Sequence, residues 1–178
     1  MKVIETKLPG VLIIQPNVYE DSRGFFKETF NAKRYSEEAG IKEIFVQDNV
    51  SFSTKNVIRG LHFQKTKPQG KLVQCVHGSV MDVAVDINPK SKTFCQFVDI
   101  FLTGKNHLQL YIPPGYAHGF CVTSDTCVVQ YKCTGYYDPS DEGGLFWNDQ
   151  DIRIPWMTSN PILSDKDLRN PKLKDLFK

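Results

Sequence analysis

From residue 44 to residue 133 the chain is a succession of short β-rich runs separated by Gly, Pro, Asn and Asp. They fall at 44–52, 57–63, 71–76, 79–87, 94–102, 107–112, 118–123 and 126–133. Gaps this short leave no room for crossover helices, so a parallel α/β sheet is excluded and an antiparallel sandwich or barrel remains. A chain of 178 residues, 40% apolar and 24% charged, can bury a real core as one domain spanning 1–178. Net charge is +2 with both signs interspersed, so there is neither a basic stripe for nucleic acid nor an acidic tail. Met1 to Glu5 lacks the apolar core of a leader, and no run approaches the ~18 apolar residues of a membrane span. Neither nucleic acid nor a membrane is therefore expected as a partner. Five cysteines without a Cys-x-x-Cys read as buried thiols in a reducing compartment, which points to the cytoplasm.

Outside the β-rich stretch, Val11 to Gln15 is an apolar run ending at Pro16. Asp21-Ser22-Arg23-Gly24 is a turn, and Phe25 to Phe30 reads as a strand. Asn31 is placed to cap a helix over 32–39 that Gly40 closes. After Tyr137 the pattern loosens, with short helices expected within 164–178, beginning near Ser164. The cleanest alternation sets Met81, Val83, Val85 and Ile87 on one face and Asp82, Ala84 and Asp86 on the other. A two-residue turn at His77-Gly78 would pair Val76 with Ser79 and place Lys71 opposite Ala84. Asp82 and Asp86 would then be its diagonal neighbours, ~7–8 Å away at the backbone. Carboxylates there keep a lysine protonated and aimed, and a surface charge ladder is the alternative reading.

Asn56-Val57-Ile58-Arg59-Gly60-Leu61-His62-Phe63-Gln64 carries the chemistry, with Lys71 beyond it. Gly60 lets the backbone bulge between two polar side chains that must be aimed. A base and a cation on neighbouring strands make an enolising site. Pro113 to Phe120 fits the Pro-x-Gly-x-x-His pattern of the second cupin motif, with His118 as its histidine. Metal-binding cupins add a His-x-His and a Glu, but His62-Phe63-Gln64 supplies one His only. Three ligands cannot be assembled from His62 and His118, so no metal is expected and His62 is free to act as a base.

The ordered blocks resemble the dTDP-4-dehydrorhamnose 3,5-epimerases, the metal-free cupin enzymes of dTDP-L-rhamnose biosynthesis. The similarity runs from about residue 3 to residue 173. It includes Asp21-x-Arg23-Gly24-Phe25-Phe26, Phe45-Val46-Gln47-Asp48-Asn49, Arg59-Gly60-Leu61-His62 and Gln69-Gly70-Lys71-Leu72-Val73. Further along it includes Asp82 to Asp86, Tyr131-Lys132, Glu142-Gly143 and Leu163-Ser164-x-Lys166-Asp167. The resemblance implies an all-β, cupin-type double-sheet jelly-roll barrel with a few short helices, working as a homodimer on a nucleotide sugar without a cofactor. In such a 4-keto sugar the ketone acidifies the C3 and C5 protons, so epimerisation needs a base on one face and an acid on the other.

By resemblance His62 is the base, Asp167 its orienting carboxylate, Tyr131 the acid on the opposite face and Lys71 the cation near the enolate. Arg23, Phe25, Glu28, Gln47, Asp48, Asn49, Arg59, His118, Glu142 and Lys166 fall at substrate-binding positions, and Tyr137 matches an aromatic that stacks on thymine. Arg23 and Glu28 are implied to serve the partner's site through an N-terminal strand that crosses over. From the residues alone, Tyr131 reads as a core or rim aromatic and Arg23 with Glu28 as a solvated hairpin. Ser164-x-x-Asp167 also resembles a capping box, which competes with the dyad for Asp167. A mono-epimerase acting at C3 or C5, or a non-catalytic sugar-nucleotide-binding cupin, are the other readings.

Overall fold

A computed structural model describes residues 1–176. The strands are β1 (Lys2–Glu5), β2 (Leu12–Gln15), β3 (Val18–Asp21), β4 (Gly24–Lys27), β5 (Gln47–Thr54), β6 (Ile58–Gln64), β7 (Lys71–His77), β8 (Ser79–Asp86), β9 (Phe97–Thr103), β10 (Gln109–Ile112), β11 (Tyr116–Val122), β12 (Thr126–Cys133) and β13 (Glu142–Gly144). Two helices, α1 (Ala32–Ala39) and α2 (Asp165–Leu168), and a 3₁₀ turn at Leu173–Asp175 complete it. One sheet runs β1-β2-β10-β7-β12-β5 and the other β13-β6-β11-β8-β9, all antiparallel, with β3-β4 a separate hairpin. This is the antiparallel β architecture expected from the runs, in the double-sheet jelly-roll form that the resemblance implies.

Between the sheets, Val73, Cys75, Leu110, Ile112, Cys127 and Val129 pack against Val80, Ala84, Val98, Leu102, Phe120 and Val122. Those apolar side chains fill the space between the sheets at that end. Towards the start of β7 and the end of β12 the inward positions turn polar, and there the barrel opens. The alternation on β8 is real, but its faces point the other way from a simple core. Met81, Val83 and Val85 face outward, beneath Leu145, Ile152, Ile154 and Leu173 of the C-terminal segment. Asp82 and Ala84 face inward.

The expected hairpin at His77-Gly78 does not form. β7 is flanked by β10 and β12, and β8 by β11 and β9, so the chain changes sheets at Gly78 and Val76 does not pair with Ser79. Gly78 has φ +75, and a Cβ there would collide with the Thr126 carbonyl oxygen, so the crossing needs glycine. The Ser79 N–H donates to Ser124 Oγ and the Gly104 N–H to the Gly78 carbonyl, which takes over the bonds a hairpin would have made. Lys71 and Asp82 therefore stand on different sheets, and Asp82 acts on the ammonium through its charge rather than as a ladder neighbour. Asp86 instead accepts from the Asn88 N–H and the Thr93 hydroxyl.

The helix forms over the expected residues: the Asn31 side chain accepts from the Arg34 N–H, and Gly40 sits at φ 69. The strand expected over 25–30 stops at Lys27, because Glu28 turns to Arg34 and Asn31 at the start of α1. Strands β1, β3 and β13 are additions to the expected set. The short helices expected within 164–178 appear as α2 and the 3₁₀ turn, with positions 177 and 178 outside the described residues.

Candidate active site

At the open end lies a cleft of two lobes. One is a cavity of about 520 Å³ lined by Arg59, His118, Ser51, Lys166 and Asp167 among others, and the second, of about 250 Å³, by Gln47, Asn49, Cys133, Tyr137 and Glu142. Three residues line both lobes: His62, Lys71 and Tyr131. Each comes from a different strand, and strand alternation turns all three inward.

β6 supplies Arg59 and His62 only because it bulges. The β6–β11 register pairs His62 with His118 and Arg59 with Phe120, so one extra residue is accommodated on β6 between them. Gly60 takes it up at φ +114, where a Cβ would lie 2.7 Å from Gly119 Cα and the His118 carbonyl oxygen. The Arg59 guanidinium donates to Ser53 Oγ and the Phe52 carbonyl, which braces it against β5.

His62 Nε2 lies 2.6 Å from Asp167 Oδ1. The capping role and the dyad are both realised, since the Asp167 N–H donates to Ser164 Oγ while its carboxylate faces His62. Burial pushes the Asp167 carboxyl up, but His62, Ser164 and the Gly60 N–H outweigh it and hold it below the usual carboxylate range. Once Nε2 is committed to Asp167, Nδ1 is the ring position left to act as a base.

The Lys71 ammonium is pulled below a free lysine's value by burial, partly opposed by Cys133, Asp82 and Glu142. Among the described residues none of these groups closes to an ion pair with it. Burial pushes the Tyr131 hydroxyl up, so it keeps its proton at neutral pH. His118 Nε2 lies 2.9 Å from Asp82 Oδ1, and burial pushes that imidazole towards its neutral form against the pull of Asp82. At the rim Glu142 accepts from Lys166 and the Tyr137 hydroxyl, and Gln47 accepts from the Tyr137 N–H. Burial raises the Glu142 carboxyl, but those two donors bring it down overall.

The structure thus gathers His62, Lys71, Tyr131, Asp167, Gln47, Asn49, Arg59, His118, Tyr137, Glu142 and Lys166 around one cleft. Four expected positions lie elsewhere in the chain's own barrel. Asp48 faces outward and pairs with Lys132 at 2.8 Å. Arg23 is at the tip of the β3-β4 hairpin, paired with Asp21 at 2.6 Å. Phe25 packs on His107 with ring centroids 4.5 Å apart, and Glu28 is tied to Arg34. Ser51 and Cys133 line the cleft without having been singled out. The alternation of β5 and β12 was the available signal, because Ser51 follows Gln47 and Asn49 on the inward face and Cys133 follows Tyr131.

Comparisons with known proteins agree with this fold. The family model described as dTDP-4-dehydrorhamnose 3,5-epimerase matches residues 5–175. The dTDP-4-dehydrorhamnose 3,5-epimerase of Shigella flexneri is 51% identical over 176 residues, 98% of this chain and 97% of that one. Among solved structures, the Legionella pneumophila dTDP-6-deoxy-D-glucose-3,5-epimerase in complex with dTDP-4-keto-L-rhamnose superposes with a TM-score of 0.95. It is 46% identical, over 97% of this chain and 93% of that one. Further off, ChmJ of Streptomyces bikiniensis, a 3'-monoepimerase in complex with dTDP-quinovose, reaches 0.89 at 28% identity, over 95% of this chain and 86% of that one.

Proposed function

The chain belongs to the dTDP-4-dehydrorhamnose 3,5-epimerase family, and from that membership we propose the residue roles by which its cleft works. The protein is an isomerase that converts dTDP-4-dehydro-6-deoxy-D-glucose to dTDP-4-dehydro-L-rhamnose in dTDP-L-rhamnose biosynthesis. The observation that carries the roles is that His62, Lys71 and Tyr131 line both lobes, with His62 held by Asp167 at 2.6 Å.

His62 Nδ1 takes the proton from the carbon beside the C4 ketone. The C–H electron pair moves to the ketone oxygen as an enolate, and the imidazolium is stabilised by Asp167. Lys71 supplies positive charge to that oxygen. The Tyr131 hydroxyl returns a proton to the opposite face of the carbon; the His62 imidazolium then releases its proton to water and the Tyr131 phenolate takes one up. Nothing is oxidised or reduced. Arg59, His118, Lys166 and the Gln47, Asn49, Tyr137 and Glu142 cluster hold the rest of the nucleotide sugar, with the Tyr137 ring, half exposed at the rim, as the stacking surface for the base.

We also read the whole chain as one domain and the working unit as a homodimer. Tyr19, Phe25 and Phe26 of the hairpin and Val50 and Phe52 of β5 are large apolar side chains left exposed. Arg23, Phe25 and Glu28 lie away from the chain's own cleft, as suits residues that reach a neighbour's. A cytoplasmic location is supported by five free cysteines. No helix among the described residues is long and apolar enough to cross a membrane.

The deciding experiment is proton NMR in deuterated water with dTDP-4-dehydro-6-deoxy-D-glucose. Loss of both the C3–H and C5–H signals is expected. Exchange at one carbon only would make the protein a mono-epimerase, the activity named for ChmJ, and exchange at neither would overturn the reading.

A further inference from the structure

Asp82 sits in the middle of β8, wholly enclosed, on a face whose neighbours Val80 and Ala84 are apolar. One of its oxygens bonds His118 Nε2, and the other, Oδ2, is buried with no hydrogen-bond partner among the described residues. An enclosed carboxylate with an idle oxygen is costly unless positive charge offsets it, and a strand interior of this kind has no packing use for it. What it faces is informative. From β11 it meets His118, and from β7, across the barrel, Lys71 and Cys75. Lys71 and His118 both line the cleft, while Asp82 stands behind them. Lys71 is in turn faced by Cys133 and Glu142, and His118 by Lys71 and His62.

We infer that Asp82 is a positioning residue of the epimerase site: it pins His118 with its proton on Nε2, leaving Nδ1 as an acceptor for a substrate hydroxyl, and its charge holds the Lys71 ammonium over the enolate oxygen. The carboxylate reaches the substrate only through those two side chains. A neutral imidazole of fixed tautomer recognises a donor on the sugar, whereas an imidazolium would compete with Lys71 for the enolate. The inference rests on the epimerase reading for its kinetic consequences and is independent of that reading for its tautomer.

The test compares Asp82→Asn with Asp86→Asn, whose carboxylate lies on the same strand but bonds Thr93 and the Asn88 N–H instead. Long-range nitrogen–proton NMR of the full-length wild-type protein should show His118 protonated on Nε2 and bare on Nδ1 throughout about pH 6 to 9. In Asp82→Asn the ring should become a mixture of tautomers. kcat should fall about tenfold or more, the scale seen when a carboxylate that orients an imidazole is removed. The alkaline limb of the kcat profile should move down by about one pH unit as Lys71 loses its supporting charge. Asp86→Asn should change none of these.

A wild-type His118 carrying its proton on Nδ1, or charged at neutral pH, overturns the inference even if no Asp82 variant folds. So does an Asp82→Asn protein that loses thermal stability but keeps the wild-type His118 spectrum and alkaline limb, since Asp82 would then be a packing residue. Failure of wild-type C3–H and C5–H exchange would instead strike the epimerase reading and leave the tautomer result standing.

Discussion

His62 and His118 lie opposite each other on β6 and β11, and each turns Nε2 to an aspartate. Their surroundings divide them. The His62 side chain is 29% exposed in the cleft, and its partner arrives from the C-terminal helix α2. The His118 and Asp82 side chains are 7% and 0% exposed, and both come from adjacent strands of one sheet. Burial and the nearby Lys71 and His62 keep His118 neutral, whereas the Asp167 carboxyl is held low by what it accepts. An identical residue pair is thus given different chemistry by solvent access and neighbouring charge, which is why His62 is proposed as the base and His118 as a fixed contact.

The sharpest way to break the comparison is to remove each ring. His62→Ala should reduce C–H exchange by about 10³-fold or more, because abstraction has no other base. His118→Ala should keep measurable exchange, with kcat lowered about tenfold and KM raised. Equal losses in both would mean that the two pairs share one task. Next in size, Tyr131→Phe should lower formation of the epimerised product about 10²-fold while proton wash-out continues, because abstraction is intact and only the return from the opposite face is lost. Loss of wash-out as well would place Tyr131 on the abstraction side.

The Asp167 side of the comparison is read by pH. A carboxyl held below its unfolded value binds protons less well folded than unfolded, so its stabilisation is complete above the unfolded value of about 4 and drains as pH falls through the folded one. Asp167→Asn should therefore narrow the gap between acidic and neutral stability, measured by denaturant midpoints at each pH. For Lys71 the sign is opposite in its effect on rate. Burial lowers it, so the enzyme should lose its alkaline activity below the ~10.4 of a free lysine. The smallest effect belongs to Ser164→Ala, which removes the cap under Asp167. About 1 kcal/mol of stability should go, with little change in kcat.

Much of this was legible beforehand. The strand runs, the α1 caps and the bulge at Gly60 follow from local periodicity and glycine chemistry, and all three appear at their residues. The hairpin at His77-Gly78 did not appear, because a Gly after a strand is equally suited to leaving the sheet. The bonds from Ser79 N–H to Ser124 Oγ and from Gly104 N–H to the Gly78 carbonyl decide between the two. Asp82 stood out as a polar residue in an apolar strand, but its orientation depends on which face the C-terminal segment covers. That segment lies more than sixty positions on, where Leu145 and Ile152 meet Met81 and Val83.

Sequence alone determined the alternations, the caps and the identities of the reactive side chains, since these depend on neighbours within a few residues. It also carried the resemblance that named their chemistry. Tertiary structure decided which face of β8 became the interior, that the Asp82 charge acts on Lys71 from the opposite sheet, and that Asp167 can cap α2 and face His62 at once. Those outcomes turn on distances between residues as far apart as 62 and 167, which are set by the closure of two sheets and which no local pattern encodes.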